Sequence, residues 1–210
     1  MYNAATKMEP VKLTYDDYLA IDDGKRHELI DGVIYDLAAP IDAHQAIVLE
    51  LGAQLRNYLK GKTCIVRVSP YDVKLSERNV VQPDVLIICD RKKIDPKKGC
   101  IGAPDYIAEV TSPSTSSIDS LRKFNLYREF GVREYWIIHP DTKLIQVSML
   151  DNGRYYTDAF GAENKTVKVN ILDDCEIDVE SLFSYEQLYE VEAAADSDTE
   201  ADNESDINIK

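Results

Sequence analysis

Two acids stand at the margins of long apolar stretches: Asp84 directly before Val85-Leu86-Ile87-Ile88, and Glu109 after Tyr106-Ile107-Ala108. A carboxylate among such neighbours loses hydration that apolar side chains cannot replace, so a compensating cation is expected. If the two stretches are neighbouring strands, both carboxylates can converge on one metal. Mg²⁺ suits such a pair, being hard, oxygen-seeking and content with one or two carboxylates plus water and phosphate oxygens. A cation held in this way polarises a phosphodiester and lowers the pKa of the water that attacks phosphorus. A nearby ammonium would orient that water and offset the charge developing on the phosphate. The plainer reading of the same spacing is that Asp84 merely opens a strand after Pro83 while Glu109 pairs with a surface lysine.

Other groups are less pointed. Gln82 precedes Asp84 and could bond a phosphate or a water, or simply occupy a strand edge. His44 falls near the start of a helix, where a lone histidine is more often structural than catalytic. His27 alternates with Glu28 along a strand and should face away from it. Tyr135 and Trp136 sit in the apolar run Val132 to Ile138 and read as core rather than as base-stacking platforms. Arg91, Lys92, Lys93, Lys97 and Lys98 form the one dense basic run, suited to a phosphate backbone or to a solvated loop. The four cysteines are scattered, with no Cys-x-x-Cys pair and no histidines at zinc spacing. Cys64 and Cys89 lie in apolar runs and are expected to be small buried thiols in a reducing compartment.

The elements that must position these groups are legible in outline. Thr14-Tyr15-Asp16-Asp17 is an N-cap followed by acids, so a short helix should run from Tyr15 to Ile21. Arg26 to Ile30 and Val33 to Leu37 flank Asp31-Gly32, a type I′ hairpin signal that places Glu28 on the first hairpin strand. From Asp42 to Leu59 apolar residues recur at helical spacing, and Gly61 ends the run. Strands are expected at Cys64 to Val68, Tyr71 to Leu75 and Asp84 to Cys89, the last covered on both faces. The basic loop Arg91 to Lys98 leads to a strand at Tyr106 to Val110, and Ser112-Pro113-Ser114-Thr115 interrupts regular structure. A helix from Ile118 to Phe130, a buried strand at Glu134 to Ile138, and a hairpin of Leu144 to Leu150 with Arg154 to Phe160 follow. A short strand at Thr166 to Val169 and a helix near Tyr185 to Glu192 close the body. This order predicts an α/β fold around a mixed central sheet flanked by helices, with an N-terminal helix and hairpin.

At 210 residues, 44% apolar and 30% charged, the chain has the profile of one soluble globular domain. No window approaches the roughly 18 apolar residues of a spanning helix, and a cytoplasmic protein without a membrane partner is expected. The net charge of −14 argues against a partner as anionic as nucleic acid. Much of it is terminal, however. Seven acids and one base lie between Glu192 and Lys210, a net of −6, which leaves −8 on the rest. The expected organisation is a domain over residues 1–192 and a disordered acidic tail over 193–210. Carboxylates gathered to hold a divalent cation would account for part of the remaining excess.

An ordered series of motifs resembles a known family. Gln82-Pro83-Asp84-Val85, then Gly102-Ala103-Pro104-Asp105 leading to Glu109-Val110-Thr111-Ser112-Pro113-Ser114-Thr115, then Asp119, Lys123, Tyr127 and Gly131-Val132-Arg133-Glu134-Tyr135-Trp136, look like the Uma2 endonucleases of the PD-(D/E)xK restriction-endonuclease-like superfamily. His27-Glu28-Leu29-Ile30-Asp31-Gly32 and His44-Gln45 are similar to its upstream motifs, and the resemblance spans Leu13 to Glu190. It implies a restriction-endonuclease-like fold, DNA as substrate and Mg²⁺ or Mn²⁺ as cofactor. Asp84 matches the metal-binding Asp, Glu109 the second ligand, and Glu28 the acid that completes the site. The customary lysine two residues after the second acid is replaced by Thr111, which implies that Lys123 on the following helix takes that role. A helix starting near Ile118 would put Asp119 and Tyr127 one turn either side of Lys123. The alternative is a catalytically inactive nuclease-fold module for interaction or nucleic-acid binding. A homodimer is plausible by analogy with enzymes that cut two strands.

Overall fold

The computed structural model describes residues 11–112 and 117–185. In α1 (Tyr15–Leu19), the Thr14 side chain accepts from the Asp17 backbone N–H while the Asp17 carboxylate accepts from that of Thr14, a reciprocal cap. Strands β1 (His27–Ile30) and β2 (Val33–Asp36) form a hairpin whose turn residues, Asp31 and Gly32, both take the left-handed φ values that a type I′ turn needs, 51° and 74°. Helix α2 (Asp42–Leu59) buries Ile47, Val48, Leu51, Leu55 and Leu59 as one stripe. Gly52 opens that face. A Cβ there would stand 3.0 Å from Val68 Cγ1, so its absence lets the helix lie close on the sheet.

Short strands follow: β3 (Ile65–Val68), β4 (Val73–Ser76), β5 (Asn79–Val81), β6 (Val85–Ile88), β7 (Ile94–Asp95), β8 (Gly99–Ile101) and β9 (Tyr106–Val110). Helix α3 (Ser117–Glu129) leads to β10 (Glu134–His139), the hairpin β11 (Leu144–Asp151) and β12 (Arg154–Phe160), the pair β13 (Thr166–Lys168) and β14 (Glu176–Asp178), and α4 (Val179–Leu182). The central sheet has the order β12-β11-β10-β9-β6-β3 and is mixed, since β9 and β10 run parallel and the other neighbours antiparallel. Alternate residues divide it. Val85, Ile87, Tyr106, Ala108, Trp136 and Ile138 pack with α2 and α4, whereas Leu86, Ile88, Ile107, Tyr135 and Ile137 pack with α3 and a second sheet.

The α/β class, the mixed sheet and the N-terminal helix and hairpin are as the residue pattern predicts. The second sheet is not part of that expectation. Its order is β2-β1-β5-β4-β8-β7, and it takes the hairpin β1–β2 away from the central sheet and lays it across one face. Strands of two to four residues carry too little alternation to announce such a sheet. The basic run is likewise not one loop: Arg91–Lys93 is a turn of 3₁₀ helix capped by the Asp90 side chain, and Ile94–Asp95 pairs with Gly99 and Cys100. Tyr135 and Trp136 are core, as expected.

The cysteine expectation fails for one pair. Strands β3 and β6 are antiparallel with Ile65 opposite Ile88, so Cys64 and Cys89 face each other one step beyond the ladder, Cα atoms 3.9 Å apart, and are joined by a disulfide. Cys100 and Cys175 are the buried free thiols, each pushed up to about 11 by burial. Among the described residues no helix is long and apolar enough to cross a membrane. The expected helix at Tyr185 to Glu192, beyond its first residue, and the acidic tail lie outside the described residues.

Candidate active site

The antiparallel register of β6 and β9 sets Val85 against Ala108. Asp84 and Glu109, one step further along each strand, therefore meet at the same sheet end, on the face that α3 and the second sheet cover. Asp84 Oδ2 is fixed by the Val110 backbone N–H at 2.8 Å and by His44 Nε2 at 3.0 Å. His44 reaches it from the first turn of α2, on the opposite face of the sheet. Its Nδ1 is buried without a hydrogen-bond partner among the described residues.

Glu28 arrives from the second sheet. It is buried, and its Oε1 accepts from the Gln82 backbone N–H at 2.9 Å, so the link between β5 and β6 is tied to β1. The same oxygen accepts from Lys123 Nζ at 2.9 Å, and Lys123 also donates to Glu109 Oε1 at 3.2 Å. One ammonium thus joins acids from two sheets. One helical turn on, the Tyr127 hydroxyl donates to the same Glu109 oxygen at 2.6 Å. The i, i+4 spacing of Lys123 and Tyr127 puts both on the buried face of α3. Lys123 is not a solvated surface lysine: it is 9% exposed, and its ion-pair partners among the described residues are Glu28 and Glu109. The Asp119 side chain lies outside the described residues.

Burial dominates the electrostatics. It pushes the Glu109 carboxyl up to about 7, with Asp84 and Glu28 adding to the rise and the Lys123 ammonium and the Tyr127 hydrogen bond opposing it. Burial alone would lower Lys123, yet Glu109 and Glu28 outweigh it and hold the ammonium well above its ordinary range. Tyr127, raised far by burial and then by the same acids, stays a neutral donor. The constellation is short of positive charge even with Lys123 in place.

These groups line a cleft of about 480 Å³ that also takes in Arg26, Tyr35, Gln82, Thr111, Ser112, Ser120 and Arg122. Thr111 does not substitute for a lysine there. Its hydroxyl turns to the Ile138 carbonyl and to His139 Nδ1, at 3.3 and 3.2 Å. Gln82 donates to Asp72 Oδ1 at 2.9 Å, and its own Oε1 is buried without a hydrogen-bond partner among the described residues. His27 faces away from Glu28, held by Asp23 and Asp36 at 2.9 and 3.0 Å. Among the described residues no group of three or more His, Cys, Asp or Glu is arranged to hold a metal ion. Of the expected metal-binding set, Asp84 and Glu109 meet through the register of β6 and β9, and Glu28 is joined to Glu109 through Lys123.

Sequence reasoning underrated His44. The signal was available, since His44 precedes Ile47 and Val48 by three and four positions and so shares their inward face. Arg26 and Arg122 carried no signal of their own; Arg122 stacks its guanidinium 4.4 Å over the Tyr35 ring at the cleft wall.

A mixed sheet with an acid on each of two adjoining strands, backed by a lysine from the next helix, defines a restriction-endonuclease-like protein of the PD-(D/E)xK kind. Residues 15–180 match the family Uma2, described as "Putative restriction endonuclease", and the chain belongs to that family. An uncharacterised protein of Synechocystis sp., slr1290, is 32% identical over 136 residues, which are 63% of this chain and 71% of that protein. The crystal structure of a "putative nuclease belonging to DUF820" from Anabaena variabilis superposes with a TM-score of 0.70 at 20% identity, covering 82% of this chain and 98% of that one. At that identity the likeness speaks for the fold alone.

Proposed function

We propose that the cleft hydrolyses DNA phosphodiester bonds with a divalent cation, Mg²⁺ or Mn²⁺. The observation that carries this reading is Lys123: a buried ammonium from α3 stands against Glu109, while the Thr111 hydroxyl turns to the Ile138 carbonyl. The donor chemistry fits a hard cation. Asp84 and Glu109 would hold it, and a Glu109 carboxyl raised to about 7 belongs to a site that gains by added positive charge. Bound there, the cation would supply Lewis acidity toward a phosphate oxygen and toward the attacking water.

The chain's own residues do the rest. Asp84 is held in one rotamer by the Val110 N–H and His44 Nε2. Glu28 acts as a positioning residue: it anchors Lys123 Nζ from the side opposite Glu109, which fixes the ammonium where charge develops on the phosphate. Tyr127 donates to Glu109 and favours its ionised form. Arg26 and Arg122 line the cleft and would supply cations for flanking phosphates.

A second reading has its own observation. With Lys123 already neutralising part of the Glu28–Glu109 pair and no ready cluster of three ligands among the described residues, the same architecture serves a nuclease-fold module that binds nucleic acid or protein without cutting. Incubation of the protein with plasmid and single-stranded DNA in Mg²⁺ or Mn²⁺, beside Asp84→Ala and Glu109→Ala, separates the two. The nuclease reading expects cleavage that both substitutions abolish. Cleavage surviving both sinks the assigned site, and no cleavage by any form favours the binding module.

A further inference from the structure

A second concave surface lies at the edge of the central sheet, where the last turn of α2 overhangs β3. It encloses about 510 Å³ and is lined by five cations, Arg56, Lys60, Lys62, Arg67 and Arg91, and by no acid. All five are exposed, and none forms an ion pair with a described carboxylate. In a chain of net charge −14 a groove of this sign is against the trend of the whole molecule. The carbonyl end of α2 attracts cations, but a helix terminus carries only about half an elementary charge, too little to gather five.

Three of the five cations are also held. Arg91 donates from Nε to the Thr63 carbonyl at 2.8 Å and from Nη2 to that of Lys62 at 3.2 Å. Lys62 sits 3.3 Å over the Tyr58 ring, and Arg67 Nη1 is bonded to the Val66 carbonyl at 2.8 Å. Side chains fixed in this way lose little freedom when an anion arrives.

A third concavity shares one lining residue with the cleft and one with the groove. Gln82 lines both the cleft and a shallow depression formed with Tyr71, Asp72, Asp95, Lys97 and Lys98, and Arg67 lines both that depression and the groove. Asp72 there is engaged by Gln82 and the Tyr18 hydroxyl, while Asp95 caps the Lys97 and Lys98 backbone N–H groups. The distances suit a polymer. Arg67 pairs with Leu86, two residues from Asp84 and ~7 Å along the strand. Lys60 is sixteen residues beyond His44, ~24 Å along α2, or roughly seven nucleotides at 3.4 Å each.

Resting on the reading of the cleft as a nuclease centre, we propose that this groove holds the phosphate backbone of the DNA strand leaving that centre, with Arg67 at the junction. Ligand and site are matched by repeat: a row of cations without acids recognises a row of phosphates, not a single small anion. The basic run flagged in the sequence thus divides, Arg91 serving the groove and Lys97 and Lys98 the path to it.

Fluorescence anisotropy of labelled single-stranded and duplex DNA, with full-length protein in EDTA, tests the assignment across about 50 to 200 mM salt. Arg56→Gln/Lys60→Gln/Lys62→Gln should weaken binding at low salt by about tenfold or more. The slope of log K against log salt should become shallower by about two, each lost phosphate contact being worth about 0.7 to 0.9. The single Arg67→Gln should do the same in smaller measure. A triple variant of equal charge change at exposed cations that line neither groove, depression nor cleft, Arg128→Gln/Arg133→Gln/Arg154→Gln, should leave affinity and slope nearly unchanged. Equal weakening by both triples, or by neither, overturns the proposal. Its failure is distinguishable from failure of the nuclease reading: Glu109→Gln should keep binding while losing cleavage, and groove-dependent binding by a protein that never cleaves would uphold the groove and remove the nuclease.

Discussion

Two buried acids on adjoining parallel strands, Glu109 on β9 and Glu134 at the start of β10, meet opposite solutions to the same problem. Glu134 is fully buried on the α2 face and surrounded by neutral donors: Trp136 Nε1 at 2.7 Å, the Ile171 N–H at 2.9 Å and Asn170 Nδ2 at 3.2 Å. Glu109, on the other face and at the other sheet end, opens on a cleft with two further acids and one shared ammonium. Burial raises both carboxyls. Only at Glu134 do the hydrogen bonds close the account within the protein. A buried carboxylate is a functional signal, then, when its surroundings leave charge uncompensated and face a cavity, and a structural one when dipoles saturate it.

The sharpest break of this comparison is to neutralise each acid. Glu109→Gln should lower cleavage by about 10² to 10³ or more, the scale of losing one charge-stabilising group, while leaving the metal-free protein as stable as before or more so. Glu134→Ala should do the reverse. It strands buried donors that cost roughly 1–3 kcal/mol each, so urea unfolding should report a loss of about 3 kcal/mol, with cleavage per folded molecule unchanged. A Glu134 variant that cleaves poorly at full stability would erase the distinction.

Removing the cation has an effect of comparable size. Lys123→Met leaves Glu28 and Glu109 buried against each other, and deletion of one partner of a buried pair costs about 3–5 kcal/mol. Thermal unfolding in EDTA should show that loss, and added Mg²⁺ should recover part of it, because a bound cation stabilises only the folded state. If Mg²⁺ fails to restore Lys123→Met, the acids do not share a cation and the binding-module reading gains.

The same contrast shows what the sequence could carry. Asp84 and Glu109 stand out because each borders an uninterrupted apolar run, yet Glu134 borders Tyr135-Trp136-Ile137-Ile138 by the same rule and turns out to be structural. What separates them is Asn170 and Ile171, more than thirty residues away, delivered by a loop with no periodic signal. The α2 stripe and the Asp31-Gly32 turn were legible because local geometry dictates their residue types. The second sheet was not, because strands such as Asn79–Val81 are defined by partners and not by pattern. Lys123 was reachable only through the resemblance, since nothing in its neighbours' spacing says that α3 points it at β1 as well as β9. The disulfide was missed for the same reason: the pairing of Cys64 with Cys89 is a fact of strand register.

A pH titration of stability examines the Glu109 half of the comparison. Its folded pKa of about 7 lies above the unfolded value of 4.5. The contribution is therefore present below about 4.5 and lost as pH rises through about 7. Lys123 stays charged across that window and adds no slope of its own. In EDTA, the melting temperature of the wild type should fall from pH 4.5 to 7.5 relative to that of Glu109→Gln, and the difference should shrink in Mg²⁺. Parallel curves for the two proteins would place the Glu109 carboxyl back in its ordinary range.

The smallest effect is the most discriminating, since it compares one donor on each acid. Trp136→Phe removes a hydrogen bond from Glu134 and should cost about 1–2 kcal/mol of stability, from the lost bond and the space left by the indole, without touching the pH profile of cleavage. Tyr127→Phe removes the 2.6 Å donor from Glu109 and should cost about 1 kcal/mol or less, because Lys123 remains on the same oxygen. Its signature is in the profile. The phenol lowers the Glu109 pKa, so without it the rising limb of cleavage should move to higher pH while Trp136→Phe leaves that limb in place. Two deletions of similar size would then act on stability alike and on chemistry differently. An unmoved limb in Tyr127→Phe would mean that ionisation of Glu109 does not gate the reaction, and the cleft would have to be understood through Asp84 and His44 instead.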